Sequence, residues 1–119
     1  MGRIHLESID IARQMVSMAS EKQAEDIVLL DVRELVSYCD YFVLMSGASG
    51  RQLSAIADVV EKTLKPLKIG PRHREGDADS GWILLDFGGV IAHIFTPEIR
   101  SYYKLDRLWE NAPKLVAIQ

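Results

Sequence analysis

The stretch from Trp82 to Phe95 constrains the fold of this chain most strongly, because its sequence predicts two strands joined by a tight turn. β-Branched and aromatic residues flank Gly88-Gly89, which tolerate the positive φ angles of a type I′ turn. A two-residue turn at that place sets Trp82 opposite Phe95. One face of the hairpin is then apolar throughout and is predicted to be core: Ile83, Leu85, Phe87, Val90, Ala92 and Ile94. The other face fits either a packed layer or a docking surface: Trp82, Leu84, Asp86, Ile91, His93 and Phe95.

Hydrophobic spacing and turn signals place the elements of the first half of the chain. Apolar residues at helical spacing predict an amphipathic first helix from about residue 6 to 22. The short apolar runs Ile27–Leu30 and Tyr41–Met45 are typical of buried strands. The segment Ser49–Gln52 forms an S-x-x-Q capping box that starts a second helix, and Pro66 is expected to stop or kink it.

The second half of the chain adds the hairpin and one more helix. Residues 70–81 are polar and lack periodicity, so they are predicted to be a loop. Thr96-Pro97 offers a capping side chain and a proline for the first turn of a last helix. The order αββαββα predicts an α/β fold, with one domain over residues 1–119 and a mixed β-sheet covered by helices. Its core is expected at about 6–112, with residues 114–119 as a frayed tail.

The composition is that of a globular domain. At 119 residues the chain can bury one core, and its 48% hydrophobic and 26% charged residues argue against disorder. No apolar run approaches the roughly 20 residues that cross a bilayer, and the first residues do not form a signal peptide. The single cysteine, Cys39, excludes an internal disulfide and fits a reducing compartment. We therefore expect a cytoplasmic protein without membrane contact.

The charge pattern argues against broad nucleic-acid binding. The formal net charge is −3, whereas a protein held by phosphates needs a basic face. Basic side chains do cluster between Lys62 and Arg74, but Glu75, Asp77 and Asp79 follow at once. This mixture is typical of a solvated helix end and loop, so any contact with RNA is expected to be minor.

A nucleotide site is the main alternative that the residues leave open. The Gly47–Ser49 turn, between a strand and a helix, could hold a phosphate on free N–H groups at the helix N-terminus. Nucleotidyltransferases place a Gly-Ser pair at such a turn and bind Mg²⁺ with paired carboxylates on a neighbouring strand. Here that strand offers Asp86 alone, and the D-x-D sequence Asp77–Asp79 lies in the predicted loop. The alternative function is therefore a nucleotidyltransferase-like enzyme or a nucleotide-binding protein that uses the Gly47–Ser49 turn.

The remaining polar residues predict no catalytic or metal site. The histidines and Cys39 show neither i, i+4 nor C-x-x-C spacing, so no metal and no cofactor are expected. Asp86 and His93 are diagonal neighbours on one face of the hairpin, but no nucleophile accompanies them. We expect a structural hydrogen bond that fixes this face of the sheet, and no enzymatic activity.

The aromatic residues predict a binding surface instead. Trp82 leads out of a polar segment, Phe87 lies at the hairpin tip, and Tyr102 and Tyr103 cannot both face inward on one helix. Some of this aromatic material should be exposed, and Trp and Tyr are frequent interface hot spots. The same exposed face could pair with itself, giving a homodimer when the protein is free. The residues alone therefore predict a binding module.

Several separated motifs are those of one known family, and the match to that family runs from about Glu7 to Ala112. They occur in this order: Asp31-Val32-Arg33, Asp40-Tyr41-Phe42-Val43, Ser46-Gly47-Ala48-Ser49 with Gln52, Trp82-Ile83-Leu84-Leu85-Asp86, His93-Ile94-Phe95, Arg100, and Tyr103-Lys104-Leu105-Asp106-Arg107-Leu108-Trp109. The chain resembles the ribosomal silencing factor family, also called the iojap-like family. The resemblance implies a cytosolic α/β domain that is related in fold to nucleotidyltransferases but lacks their catalytic carboxylates and their activity.

The resemblance also implies a function and a set of site residues. Members of the family bind the large ribosomal subunit through large-subunit ribosomal protein fourteen, block joining of the small subunit and lower translation when nutrients are scarce. The residues carried over are partner-binding Trp82, Phe87 and Tyr103, and supporting Asp86, His93 and Arg100. One departure is visible at the hairpin turn, where the family usually has Gly-Asp and this chain has Gly88-Gly89.

Overall fold

The computed structural model describes residues 7–119, so the residues before Glu7 in the predicted first helix lie outside the described range. The elements are α1 (Ser8–Glu21), β1 (Glu25–Asp31), β2 (Tyr41–Ser46), α2 (Gly50–Leu64) with a 3₁₀ turn (Lys65–Leu67), β3 (His73–Asp77), β4 (Trp82–Asp86), β5 (Val90–Phe95), α3 (Pro97–Tyr102), α4 (Leu105–Leu108) and β6 (Lys114–Ile118). Their order is αββαβββααβ rather than αββαββα. The predicted fold class, a single α/β domain with a mixed sheet, is confirmed.

The six strands form one sheet in the order β3-β4-β5-β2-β1-β6. β2 and β5 are parallel at its centre, and the other neighbours are antiparallel. The hairpin has the predicted pairing, with Trp82 opposite Phe95. Of the two turn glycines only Gly88 has a positive φ, +87°, so the turn has the type II′ pattern instead of type I′. Gly89 is required for space, because a side chain there would overlap Ser8 at the start of α1.

Helices cover both faces of the sheet. α1 and α2 pack on the face that holds the predicted core side of the hairpin: Ile83, Leu85, Val90, Ala92 and Ile94, with Phe87 packed against them. The opposite face is covered by residues of α3, of α4 and of the connection between β1 and β2. The second face of the hairpin is therefore a packed layer over most of its area.

Two strands correct the sequence-based prediction. β3 lies in the segment 70–81 that was expected to be a loop, and it pairs with β4 from His73 to Asp77. All five of its residues are exposed, so no hydrophobic alternation marks the strand and backbone pairing alone defines it. β6 replaces the expected frayed tail at 114–119, because it pairs with β1 and packs Val116 against the core. The core therefore continues past residue 112.

The predicted last helix is two short helices. Thr96 caps α3 as expected, its Oγ1 accepting a hydrogen bond from the N–H of Ile99 at 3.3 Å. Lys104 then takes a left-handed conformation, with φ +52°, which ends the helical path before α4 begins. The break places Tyr103 at the C-terminal cap of α3, at the edge of the sheet face.

Candidate partner-binding site

Trp82 and Tyr103 come together at one corner of the molecule. Trp82 begins β4 and is partly buried, whereas Tyr103 is 54% exposed, and their ring centroids lie 5.7 Å apart. The two rings help to line a groove of about 420 Å³, together with Leu84 and Ile99. One edge of this groove is polar and is formed by Glu75 on β3 and by Ser80. The sequence did not predict this edge, because it did not predict β3. The corner is an open apolar surface with an acidic rim.

Further exposed apolar side chains follow on the same helical segment. Tyr102 is 77% exposed and meets Tyr103 edge-on at 4.9 Å, and Leu108 on α4 is 64% exposed. The adjacent tyrosines gave a signal in the sequence, since one short helix cannot bury both. Leu108 gave none, because its exposure depends on the break at Lys104. We call Trp82, Tyr102 and Tyr103 the aromatic corner.

Phe87 does not belong to the aromatic corner. It lies beyond the other end of β4, roughly 16 Å along the strand from Trp82 at the usual rise per residue. It also points to the opposite face of the sheet, where it packs against the core under α1 and α2. The three predicted partner-binding residues therefore do not form one patch, and a contact through Phe87 stays a prediction of its own.

His93 is fixed in the aromatic layer behind Trp82. Its Nδ1 accepts a hydrogen bond from Trp82 Nε1 at 3.3 Å, which makes Nε2 the protonated nitrogen. Burial lowers the pKa of His93 to about 4, so the ring is neutral at neutral pH. Nε2 is buried and finds no hydrogen-bond partner among residues 7–119, a cost of about 1–3 kcal/mol. The expected hydrogen bond on this face is present, but it joins His93 to Trp82 and not to Asp86.

Asp86 stabilises the hairpin turn. Its carboxylate accepts a hydrogen bond from the N–H of Gly88 at 2.8 Å, and its carbonyl accepts one from the N–H of Arg72 at 2.6 Å. The side chain is thus committed to the turn that it starts. A lone carboxylate in this position supports the backbone and does not form a metal-binding pair.

Arg100 connects the end of the sheet to α4. It is buried, and its guanidinium donates to the carbonyl of Asp26 and the hydroxyl of Ser46, both at 2.8 Å. It also donates two hydrogen bonds to the Asp106 carboxylate, at 2.8 and 2.9 Å, which lower the pKa of that carboxyl group. The guanidinium lies over the ring of Phe95 at 5.1 Å. Arg100 therefore anchors α3 and α4, and with them the aromatic corner.

Two backbone donors of the Gly47–Ser49 turn, those of Gly47 and Ala48, form hydrogen bonds within the protein. The N–H of Gly47 donates to Phe95, and that of Ala48 donates to the Gln52 side chain at 2.7 Å. Ser49 Oγ accepts a hydrogen bond from the N–H of Gln52 at 3.3 Å, so the predicted cap is present. The Gln52 side chain accepts from the N–H of Ala48, one residue before the N–H of Ser49 that a capping box would use. The backbone of Ala78 lies where a side chain on residue 50 would be. Nothing in this packing favours a phosphate as the occupant.

Within residues 7–119, no group of three or more His, Cys, Asp and Glu side chains is arranged to hold a metal ion. Over the same residues, no helix has both the length and the apolarity needed to cross a bilayer.

The fold and the aromatic corner define a class of protein, a small α/β domain with an exposed apolar surface at one corner. A comparison with protein families shows the family to which the chain belongs. Residues 5–119 match the family described as ribosomal silencing factor during starvation, so the chain belongs to this family. The family resemblance inferred from the motifs is confirmed, and it indicates a ribosome-associated role in the regulation of translation.

Individual relatives agree with this assignment. The chain is 35% identical over 103 residues to the ribosomal silencing factor of Bacillus subtilis, covering 87% of each chain. It is 37% identical over 98 residues to the mouse protein named mitochondrial assembly of ribosomal large subunit protein 1, covering 80% of this chain and 43% of that one. A crystal structure of a Chromobacterium violaceum protein superposes with a TM-score of 0.83, at 30% identity and 88% coverage of both chains. None of these names denotes an enzyme.

Proposed function

We propose that the protein represses translation by binding the large ribosomal subunit through large-subunit ribosomal protein fourteen. In this position it blocks joining of the small subunit, and it acts in the cytoplasm when nutrients are limiting. The observation that carries the proposal is the aromatic corner, an exposed apolar surface on an otherwise well-packed domain of a ribosome-associated family. Exposed Trp and Tyr side chains in one place are typical of protein interfaces.

Size and charge support a protein partner. A stable interface buries roughly 800 Å² per partner, about a tenth of the 7370 Å² that this chain exposes. The net charge of −3 and Glu75 beside the groove favour a basic partner, and ribosomal proteins are usually basic. Complementary charge would raise the rate of encounter, while the buried aromatic rings would supply most of the affinity.

The basic segment Lys62–Arg74 is a weaker candidate for contact with the ribosome. Arg74 forms salt bridges with Asp58 at 3.3 Å and with Glu61 at 2.8 Å, both on α2. Part of the positive charge is therefore neutralised within the protein. We propose that contact with ribosomal RNA is minor and that the free protein can form a homodimer through the aromatic corner.

Repression by occlusion needs no chemistry. The Asp86 carboxylate holds a turn and the Ser49 hydroxyl caps a helix, so the groups that a nucleotidyltransferase would use have structural roles here. We propose that the protein acts without catalysis and without a cofactor. Its effect then depends on its concentration and on how long it stays bound.

Co-sedimentation with purified ribosomal subunits tests the proposal. Wild-type protein should sediment with the large subunit alone, and Trp82→Ala should weaken this binding by about 2 kcal/mol or more, the scale of a hot spot. Leu67→Ala is the matched control, since it removes an exposed apolar side chain after α2, away from the aromatic corner. Equal binding of both subunits would indicate a general RNA binder, and unchanged binding by folded Trp82→Ala would refute the proposed surface.

A further inference from the structure

One partly buried hydrogen bond engages the only polar atom of the Trp82 indole. Trp82 Nε1 donates to His93 Nδ1 at 3.3 Å. His93 is paired with Leu84 across the hairpin, which makes it a diagonal neighbour of Trp82 on the same face of the sheet. The bond therefore ties the wall of the groove to the interior of the domain.

The acceptor is itself held in place by aromatic neighbours. Phe42 on β2 meets the imidazole edge-on, with ring centroids 5.0 Å apart and planes at 74°. Phe95 lies on its other side on the same strand, 6.4 Å away and nearly parallel. Because packed interiors leave little free volume, the imidazole cannot turn without displacing these rings. His93 thus presents Nδ1 in a fixed direction.

Packing alone does not account for a histidine in this position. Within the described residues its Nε2 is buried without a hydrogen-bond partner, and burial lowers its pKa to about 4. A leucine or a phenylalanine could fill the same space without an unpaired polar atom. Unlike a leucine or a phenylalanine, the imidazole provides a hydrogen-bond acceptor for Trp82 Nε1.

The contacts of Trp82 with Tyr103 and Phe95 are apolar, at centroid distances of 5.7 and 5.9 Å. Such contacts favour burial of the indole but select its orientation weakly, whereas a hydrogen bond is directional. We propose that His93 is a positioning residue for partner binding, which orients the Trp82 indole so that the groove is formed before the partner arrives. This inference rests on the proposed function of the aromatic corner, and it assigns His93 no contact with the partner.

A double-mutant cycle tests the inference, with binding to the purified large subunit as the readout. His93→Leu removes the acceptor and should weaken binding by about threefold to tenfold, the effect of one net hydrogen bond. In Trp82→Phe, which has no indole N–H, adding His93→Leu should cause no further loss. His93→Asn keeps an oxygen near the place of Nδ1 and should recover part of the affinity. Ile91→Val, on the same strand and face, is the packing control and should bind as wild type does.

A second readout follows the indole directly. The Nε1–H resonance of Trp82, assigned by its loss in Trp82→Phe, should move in His93→Leu and stay in place in Ile91→Val. If His93→Leu does not fold, His93→Phe keeps an aromatic ring without the acceptor and serves in the same cycle. Additive losses in the double mutant, or an unmoved resonance, would overturn the positioning role while wild-type binding stands. Absence of wild-type binding would refute the proposed function, and this inference with it.

Discussion

The stability of the domain should fall below pH 6.5 because of His93. Burial lowers the pKa of His93 from 6.5 to about 4 in the folded protein. Between these values the unfolded chain binds a proton that the folded chain does not, so acid favours unfolding. Above pH 6.5 the imidazole is neutral in both the folded and the unfolded state, so protonation of His93 does not lower the free energy of unfolding there. The loss begins at pH 6.5 and is complete near pH 4, at up to about 1.4 kcal/mol per pH unit.

The size of the effect can be worked out for an accessible range. From pH 7.5 to pH 5, the linkage of a pKa of 6.5 to one of about 4 lowers the free energy of unfolding by about 2 kcal/mol. The Asp31 and Asp106 carboxyl groups have pKa values lowered from 3.8 by hydrogen bonds from arginines, so their contributions are lost only at lower pH. Measurements above pH 5 therefore avoid the titration of these two carboxyl groups.

Urea unfolding followed by circular dichroism at several pH values measures this loss. His93→Leu should abolish the dependence on pH between 7.5 and 5, whatever its own stability. His73→Gln, which removes an exposed histidine on β3, should keep it. A wild-type protein whose unfolding free energy stays constant over this range, or a His93→Leu protein with an unchanged slope, would refute the reasoning.

Three further predictions follow from single contacts. Ser49→Ala removes the helix cap and should lower the free energy of unfolding by about 1 kcal/mol in urea titrations, without changing binding to the ribosomal subunit. Burial raises the pKa of the Cys39 thiol to about 12, so iodoacetamide at pH 8 should label the native protein at least about a hundredfold more slowly than the urea-unfolded chain. Gly89→Ala should lower the free energy of unfolding in urea titrations by about 1 kcal/mol or more, because the new methyl group overlaps Ser8, and Ser8→Ala should restore part of the loss.

The hairpin could be predicted from the sequence because its signals are local. Alternating apolar residues and a two-residue glycine turn fix which side chains face the core, and the pairing of Trp82 with Phe95 follows by counting. The turn type could not be fixed in the same way. Two adjacent glycines permit both type I′ and type II′, so the residues of the turn do not distinguish the two types.

The two strands that could not be predicted from the sequence, β3 and β6, have few buried side chains. All five residues of β3 are exposed, and β6 packs only Val116 against the core, so neither strand carries the periodicity on which strand prediction depends. Both lie at the edges of the sheet and form by backbone pairing with a neighbour that is distant in sequence or follows a turn. Backbone hydrogen bonds are common to all residues and leave little trace in composition.

The site was predicted in its chemistry but only partly in its geometry. Trp82 and Tyr103 were expected in the binding surface, and they do meet, because Lys104 ends α3 and leaves Tyr103 beside the groove. Phe87 was grouped with them since it lies on the same hairpin. Side chains alternate between the two faces of a strand, however, so residues five positions apart point to opposite faces. Phe87 therefore packs under α1 and α2. Their separate roles stay predictions until binding is measured.

The order of addition in a subunit-association experiment tests occlusion most directly. Light scattering would follow the joining of purified subunits with the protein added before or after the small subunit. Because competition for one surface is reversible, protein added first should lower the fraction of joined subunits, and excess small subunit should reverse this. Protein added after joining should have little effect until subunits separate. Inhibition that grows with incubation time and persists after the protein is removed would contradict the account.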